Sequence, residues 1–240
     1  MSFVRSTLFN LWFYGITAVL ALWGLVPGWL SRSSTPDWAM RLARLWARLV
    51  IGGLRVICGT RWEVTGLQHL PKDGPALIAS MHQSAFDTMV WILLVPRACY
   101  VLKRELLALP VFGPMCRLTG MIAVDRGAGA AAIRSLLKES DRALAEQRQM
   151  VIFPEGTRVA PGQHVELQPG IAAMAARTHL PVIPVTTDSG LCWGRRAFRK
   201  RPGVIHVTIG APIPPGLKRP ELMERLDALF AAATAEVARR

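Results

Sequence analysis

Hydrophobic and polar positions change their period several times along the chain, and each change predicts an element. From Thr7 to Ser31 there is no charged residue, and Leu8 to Leu30 is apolar apart from Asn10, Thr17 and the glycines Gly15, Gly24 and Gly28. Such a run is long enough to cross a bilayer. Arg5 is the only positive charge ahead of it and no A-x-A-like site follows, which favours a retained helix over a signal peptide. Trp12, Trp23 and Trp29 suit a membrane interface, and Pro27 predicts a kink or a late end, so a full span and a deep interfacial helix both stay open. A linker, Ser31 to Pro36, leads to Asp37, a residue able to cap the next helix. From Trp38 to about Val56 the period becomes helical and amphipathic. Arg41, Arg44, Arg48 and Arg55 form one stripe, with Leu42, Leu45, Trp46 and Leu49 on other faces. A basic, Trp-bearing amphipathic helix after an apolar one reads as a two-helix membrane-docking hairpin, residues 1–58.

Beyond residue 58 short apolar runs alternate with helical periods. Strands are expected at Thr60–Val64, Ala76–Ser80, Cys99–Leu102, Met121–Val124, Met150–Phe153, Val182–Val185 and Val204–Ile209. Helices are expected at Met89–Leu94, Ala128–Gln147, Gly170–Thr178 and Glu221–Ala238. The segment after Lys103 carries Pro110, Gly113 and Pro114 and predicts an irregular helix; Pro184 hints at an edge strand or a bulge. Strands alternating with helices imply an α/β domain over 59–240, a layered, mostly parallel sheet with flanking helices.

Charge narrows the partners. A net charge of +13 on a chain that is 51% apolar points to a polyanion, nucleic acid or an anionic membrane surface. The apolar N-terminus selects the anionic membrane surface, and no nucleic acid is expected as a partner. The basic run Arg195-Arg196-Ala197-Phe198-Arg199-Lys200-Arg201 reads as a solvated loop or as an attractor of headgroups or donor phosphates. Cys58, Cys99, Cys116 and Cys192 form no C-x-x-C pair and meet no zinc spacing, so neither metal nor disulfide is expected and a reducing compartment fits.

The chemistry gathers at strand ends. His82-Gln83-Ser84-Ala85-Phe86-Asp87 leaves the strand Ala76–Ser80 and enters a helix. A turn can bring this His and Asp together, the carboxylate fixing the imidazole tautomer for general-base work. Alone, such a pair equally suits a turn and a helix cap. Three more polar clusters leave strand ends: Lys103, Asp125-Arg126 and Glu155-Gly156-Thr157-Arg158. Ligands of open α/β sheets sit there. Gly156 permits close backbone approach, Thr157 offers a hydroxyl, and Arg158, Arg126 and Lys103 offer charge suited to phosphate. There is no G-x-x-x-x-G-K-[ST] run and no G-x-S-x-G elbow around Ser84, so neither a nucleotide loop nor a serine nucleophile is indicated.

Four blocks in this order resemble the glycerolipid acyltransferase family, on its 1-acylglycerol-3-phosphate acyltransferase branch. They are HQSAFD (82–87), GMIAVDR (120–126), FPEGTR (153–158) and LPVIPV (180–185), and the resemblance runs from about Trp62 to Gly216. It implies a glycerol-3-phosphate acyltransferase-like fold and acyl transfer from acyl-CoA or acyl carrier protein to the sn-2 hydroxyl of lysophosphatidic acid, giving phosphatidic acid. No cofactor is implied beyond that thioester co-substrate. His82 would be the base and Asp87 its orienting partner. Lys103, Arg126, Glu155, Gly156, Thr157 and Arg158 would hold the phosphate end of the acceptor. The expected place is the inner membrane, with the catalytic domain facing the cytoplasm. Met81 stands where many members carry Asn, and Ala123 is smaller than the aromatic often found there. Two other readings stand beside this one: a different lyso-acceptor such as lyso-ornithine lipid, and a non-catalytic module for anionic lipid.

Overall fold

The computed structural model describes residues 2–30, 37–110 and 112–239, with no side chains described for 25–30. The linker expected at Ser31–Pro36 lies outside the described residues, as does the side chain of the interfacial Trp29. Two long helices come first, α1 (Ser2–Leu30) and α2 (Asp37–Cys58). α1 continues past Pro27. Next come β1 (Thr60–Thr65), β2 (Ala76–Ser80), α3 (Phe86–Leu94), β3 (Ala98–Lys103), α4 (Phe112–Leu118) and β4 (Ile122–Val124). The chain closes with α5 (Ala130–Ala145), β5 (Gln149–Ile152), α6 (Gly170–Thr178), β6 (Val182–Thr187), β7 (Gly203–Ile209) and α7 (Arg219–Ala238).

The seven strands form one sheet in the order β1-β7-β6-β2-β5-β3-β4. All neighbouring pairs are parallel except β6 with β7. The central strands β2 and β5 are buried at every position, as strands covered on both faces must be. β7 instead alternates exposed and buried residues. Pro184 belongs to an interior strand, not an edge. It pairs with Ala79 of β2, and its carbonyl accepts from Gly210 N at 2.8 Å where β7 runs out.

Helices cover both faces. One apolar cluster joins α1, α2 and α3 to the sheet through Phe9, Val50, Leu54, Phe86, Trp91, Ile78 and Val151. The other joins α5, α6 and α7 to the opposite face through Leu136, Ile171, Met174, Leu226 and Phe230. The hairpin therefore shares the core of the α/β part. Trp46 Nε1 donates to Thr17 Oγ1 at 2.9 Å and Trp12 Nε1 to the Leu49 carbonyl at 2.9 Å, locking α1 to α2. Of the arginine stripe on α2, Arg41, Arg48 and Arg55 are exposed. Arg44 is drawn inward, donating to the carbonyls of Ile92 and Pro96 at the end of α3. Those carbonyls lack helical partners, so the guanidinium satisfies them rather than facing lipid.

β2 hands the chain to α3 on one face and β5 hands it to α6 on the other. Their exit loops meet at the carboxyl ends of two adjacent strands, where ligands of open α/β sheets sit.

Candidate active site

His82 stands at that end of the sheet, just past β2. Residues 81–85 turn tightly and α3 begins at Phe86, which puts Asp87 in its first turn, where the helix dipole favours a carboxylate. Asp87 Oδ2 accepts the backbone N–H groups of Gln83 and Ser84, each at 2.7 Å, and faces His82 Nδ1 at 3.1 Å. The carboxylate that orients the imidazole thus also closes the turn. With Nδ1 donating, Nε2 keeps its lone pair and is the basic nitrogen. The Asp87 side chain is 2% exposed and that of His82 13%, so the carboxylate is sealed and part of the ring reaches the surface. The ring lies on Phe153 with centroids 4.2 Å apart and planes 22° apart. Ser84 is fully buried and its Oγ accepts from Phe86 N at 3.2 Å, a turn-forming role rather than a nucleophile's.

The loop after β5 carries the second cluster. Glu155 is 7% exposed, and its Oε2 accepts the backbone N–H of His82 at 2.5 Å. In return the His82 carbonyl accepts from Val159 N at 2.8 Å. Glu155 therefore points at the backbone of the histidine and not outward. Burial foremost, then the nearby Asp87 charge, pushes its carboxyl up to about 8 against the pull of the His82 N–H. Near neutral pH it is mostly protonated, so a single carboxylate charge acts on the imidazole.

Gly156 takes φ +70°, and a Cβ there would lie 3.2 Å from Gln168 Cγ; only glycine meets both demands easily. Its carbonyl accepts from Arg126 Nη1. β3 lies between β4 and β5, so Arg126 and Arg158 leave strands that are not adjacent, and Arg126 crosses the end of β3 to reach this loop. Arg158 is half-buried. Burial pulls its pKa down, the Asp87 charge pulls it up, and the Arg195 and Arg196 charges pull it down again. Thr157 is exposed on the same loop. Lys103 ends β3 at the rim, with Nζ 3.1 Å from Glu105 Oε1 and both side chains exposed.

The sequence reading missed the supports behind this site. Gln83 Oε1 accepts from Gly190 N at 3.1 Å, tying the histidine turn to the segment after β6. A Cβ on Gly190 would sit 2.7 Å from Pro161 Cγ. That segment starts at Asp188, whose carboxylate accepts from His206 N at 2.7 Å and faces His206 Nδ1 at 2.7 Å. Phe153 reads as a strand end and a letter of a motif, with no sign that its ring would lie under His82. Nothing local marks any of these residues, because their partners lie on other strands.

A family model described as Acyltransferase matches residues 61–188. The chain is 36% identical over 196 residues to a 1-acyl-sn-glycerol-3-phosphate acyltransferase of Pseudomonas aeruginosa, covering 80% of this chain and 76% of that one. It is 35% identical over 202 residues to an enzyme of the same description from Limnanthes alba, covering 82% and 69%. The human 1-acyl-sn-glycerol-3-phosphate acyltransferase alpha is 30% identical over 171 residues, 70% of this chain and 60% of that one. The crystal structure of the 1-acyl-sn-glycerophosphate (LPA) acyltransferase from Thermotoga maritima superposes with a TM-score of 0.78, covering 100% of this chain and 99% of that one. At 22% identity that likeness speaks for the fold.

Proposed function

The chain belongs to the acyltransferase family, and from that premise we propose that it transfers a fatty acyl group from a thioester to the sn-2 hydroxyl of 1-acylglycerol-3-phosphate, making phosphatidic acid, with His82 as general base. The observation that carries this reading is the imidazole held at Nδ1, 3.1 Å from a buried carboxylate. A module that only bound lipid would need neither group.

The acceptor hydroxyl gives its proton to His82 Nε2 as its oxygen attacks the thioester carbonyl. The tetrahedral intermediate collapses, the C–S bond breaks, and the proton on Nε2 passes to the leaving sulfur. Proton transfer by a positioned base contributes roughly 10² to 10⁴ in rate, and alignment of the two substrates adds more. Asp87 orients the ring and stabilises the imidazolium. Arg158 and Arg126, with the backbone of Gly156 and the hydroxyl of Thr157, take the acceptor phosphate, and Lys103 adds charge at the rim. Glu155 acts on the backbone of His82 as a positioning residue. The donor is acyl-CoA or acyl carrier protein.

α1 supports docking on the cytoplasmic leaflet of the inner membrane. Ser6, Phe9, Ala21 and Gly24 are buried against the protein, while Phe3, Val4, Leu11, Tyr14, Val19 and Trp23 are exposed. One face held on the domain and the other apolar and exposed suit a helix lying in the interface.

The test is labelled acyl-CoA and acyl carrier protein against a panel of lyso-acceptors. Phosphatidic acid should form fastest, and His82→Ala should lose nearly all turnover. A tenfold preference for lyso-ornithine lipid or another acceptor would sink the assignment.

A further inference from the structure

The basic loop between β6 and β7 is not used by the chemistry, yet it is built onto α1. Lys200 is 4% exposed; its N–H donates to Ser6 Oγ at 2.9 Å, and its ammonium donates to Asn10 Oδ1. That ammonium also sits 5.5 Å from the Phe9 ring centroid and 5.1 Å from that of Trp193. Asn10 Nδ2 donates to the Phe198 carbonyl at 3.4 Å. So anchored, the loop holds Phe198, 47% exposed, against Phe3, 57% exposed, with ring centroids 5.2 Å apart. The exposed apolar face of α1 therefore continues onto the loop. Around it Arg195, Arg196, Arg199 and Arg201 are all exposed, and none pairs with a carboxylate among the described residues. Arg195 Nη1 reaches the carbonyl of Arg158 at 3.4 Å, which joins the patch to the phosphate end of the site.

An aromatic side chain level with a lipid-facing helix and ringed by uncompensated arginines matches an anionic bilayer in both polarity and charge. We propose that Gly194–Arg201 is a second membrane contact, inserting Phe198 beside Phe3 and binding anionic phospholipid headgroups on its arginines. It gives the anionic acceptor a continuous path of positive charge along the leaflet to Arg158. This rests on the membrane-docked reading of α1.

Arg196, Arg199 and Arg201 are the residues to change, leaving Arg195 beside the site. Each arginine near an anionic surface contributes about fivefold in binding, the equivalent of ~1 kcal/mol. R196Q/R199Q/R201Q should therefore weaken co-sedimentation with phosphatidylglycerol-containing vesicles by about a hundredfold at low salt. Its binding to pure phosphatidylcholine vesicles should stay within about twofold of wild type, because uncharged headgroups supply no such term. Phe198→Ser should weaken binding to both. Equal binding of wild type and triple variant to anionic vesicles overturns the proposal. So does a rise in the KM for acyl-CoA with vesicle binding unchanged, which would assign the arginines to donor phosphates. Co-sedimentation needs no turnover, so an inactive protein that still shows the arginine-dependent preference removes the acyl-transfer reading and supports the docking.

Discussion

Asp87→Asn separates charge from geometry at the proposed base. All three donors around Asp87 converge on one oxygen, the two backbone N–H groups at 2.7 Å and His82 Nδ1 at 3.1 Å. An asparagine carbonyl can occupy that point, so the turn should survive with a thermal midpoint close to wild type. What disappears is the negative charge facing the imidazolium that forms during attack. Two unit charges about 4 Å apart interact by ~4 kcal/mol at an effective dielectric of about 20. With the Asp87 side chain 2% exposed, solvent removes little of that. Since each ~1.36 kcal/mol is a factor of ten, kcat should fall by about 10² to 10³. The assay is initial rate at saturating donor and acceptor in mixed micelles, wild type beside Asp87→Asn and His82→Ala. The reasoning is refuted if Asp87→Asn retains kcat within threefold of wild type. It is equally refuted if the loss comes with unfolding, which would make Asp87 a structural residue only.

Arg158→Ala should raise the KM for lysophosphatidic acid by thirtyfold or more, since an unpaired charge contact costs about 2–5 kcal/mol, and leave that for the donor nearly unchanged; equal effects contradict the phosphate role. Glu155→Gln keeps an acceptor for the His82 N–H and removes a carboxyl raised by burial from 4.5 to about 8. A raised folded pKa means stability present at low pH and lost as pH rises toward 8, so the variant should gain on wild type between pH 5 and 9, read as a widening gap in thermal midpoint. A constant gap would show that the carboxyl is not held protonated. Salt at 1 M should leave the intact protein on vesicles, because apolar burial of α1 is not screened; release by salt alone would mean the helix is not inserted.

The parts of this molecule legible in its sequence are those whose geometry is local. The histidine turn closes within six residues, and Asp87 both makes it and uses it. The strand ends carrying Lys103, Arg126 and Arg158 follow from apolar runs that stop at charge. What the sequence hid is set by distant partners. Arg44 looks like a member of a lipid-facing stripe until α3 presents its unpaired carbonyls. The crossing of Arg126 over β3 depends on strand order, which periodicity does not encode. Glu155 reads as a ligand in its motif, and only its burial beneath His82 makes it a neutral prop. Residues 1–58 read as an appendage, yet Phe9 and Leu54 sit in the same core as Ile78 and Val151. Removing the hairpin would therefore open the fold, and tests of docking belong on surface side chains.

The grip of Ser6 and Asn10 on Lys200 has a consequence in time. Its partners lie 194 and 190 residues apart, so the contact closes a loop of most of the chain. During synthesis at about 5–20 residues per second, α1 leaves the ribosome roughly 10–40 seconds before that loop exists. Through that interval Phe9 lacks Trp193, the ring it later meets edge-on at 5.3 Å. The face of α1 that meets Trp193 and Lys200 thus stays open through that interval, while α2, made directly after it, already covers another part of the helix through Trp46 and Leu49. On the membrane-docked reading proposed above, lipid covers that face in the meantime, and the helix exchanges it for protein once residues 192–201 arrive.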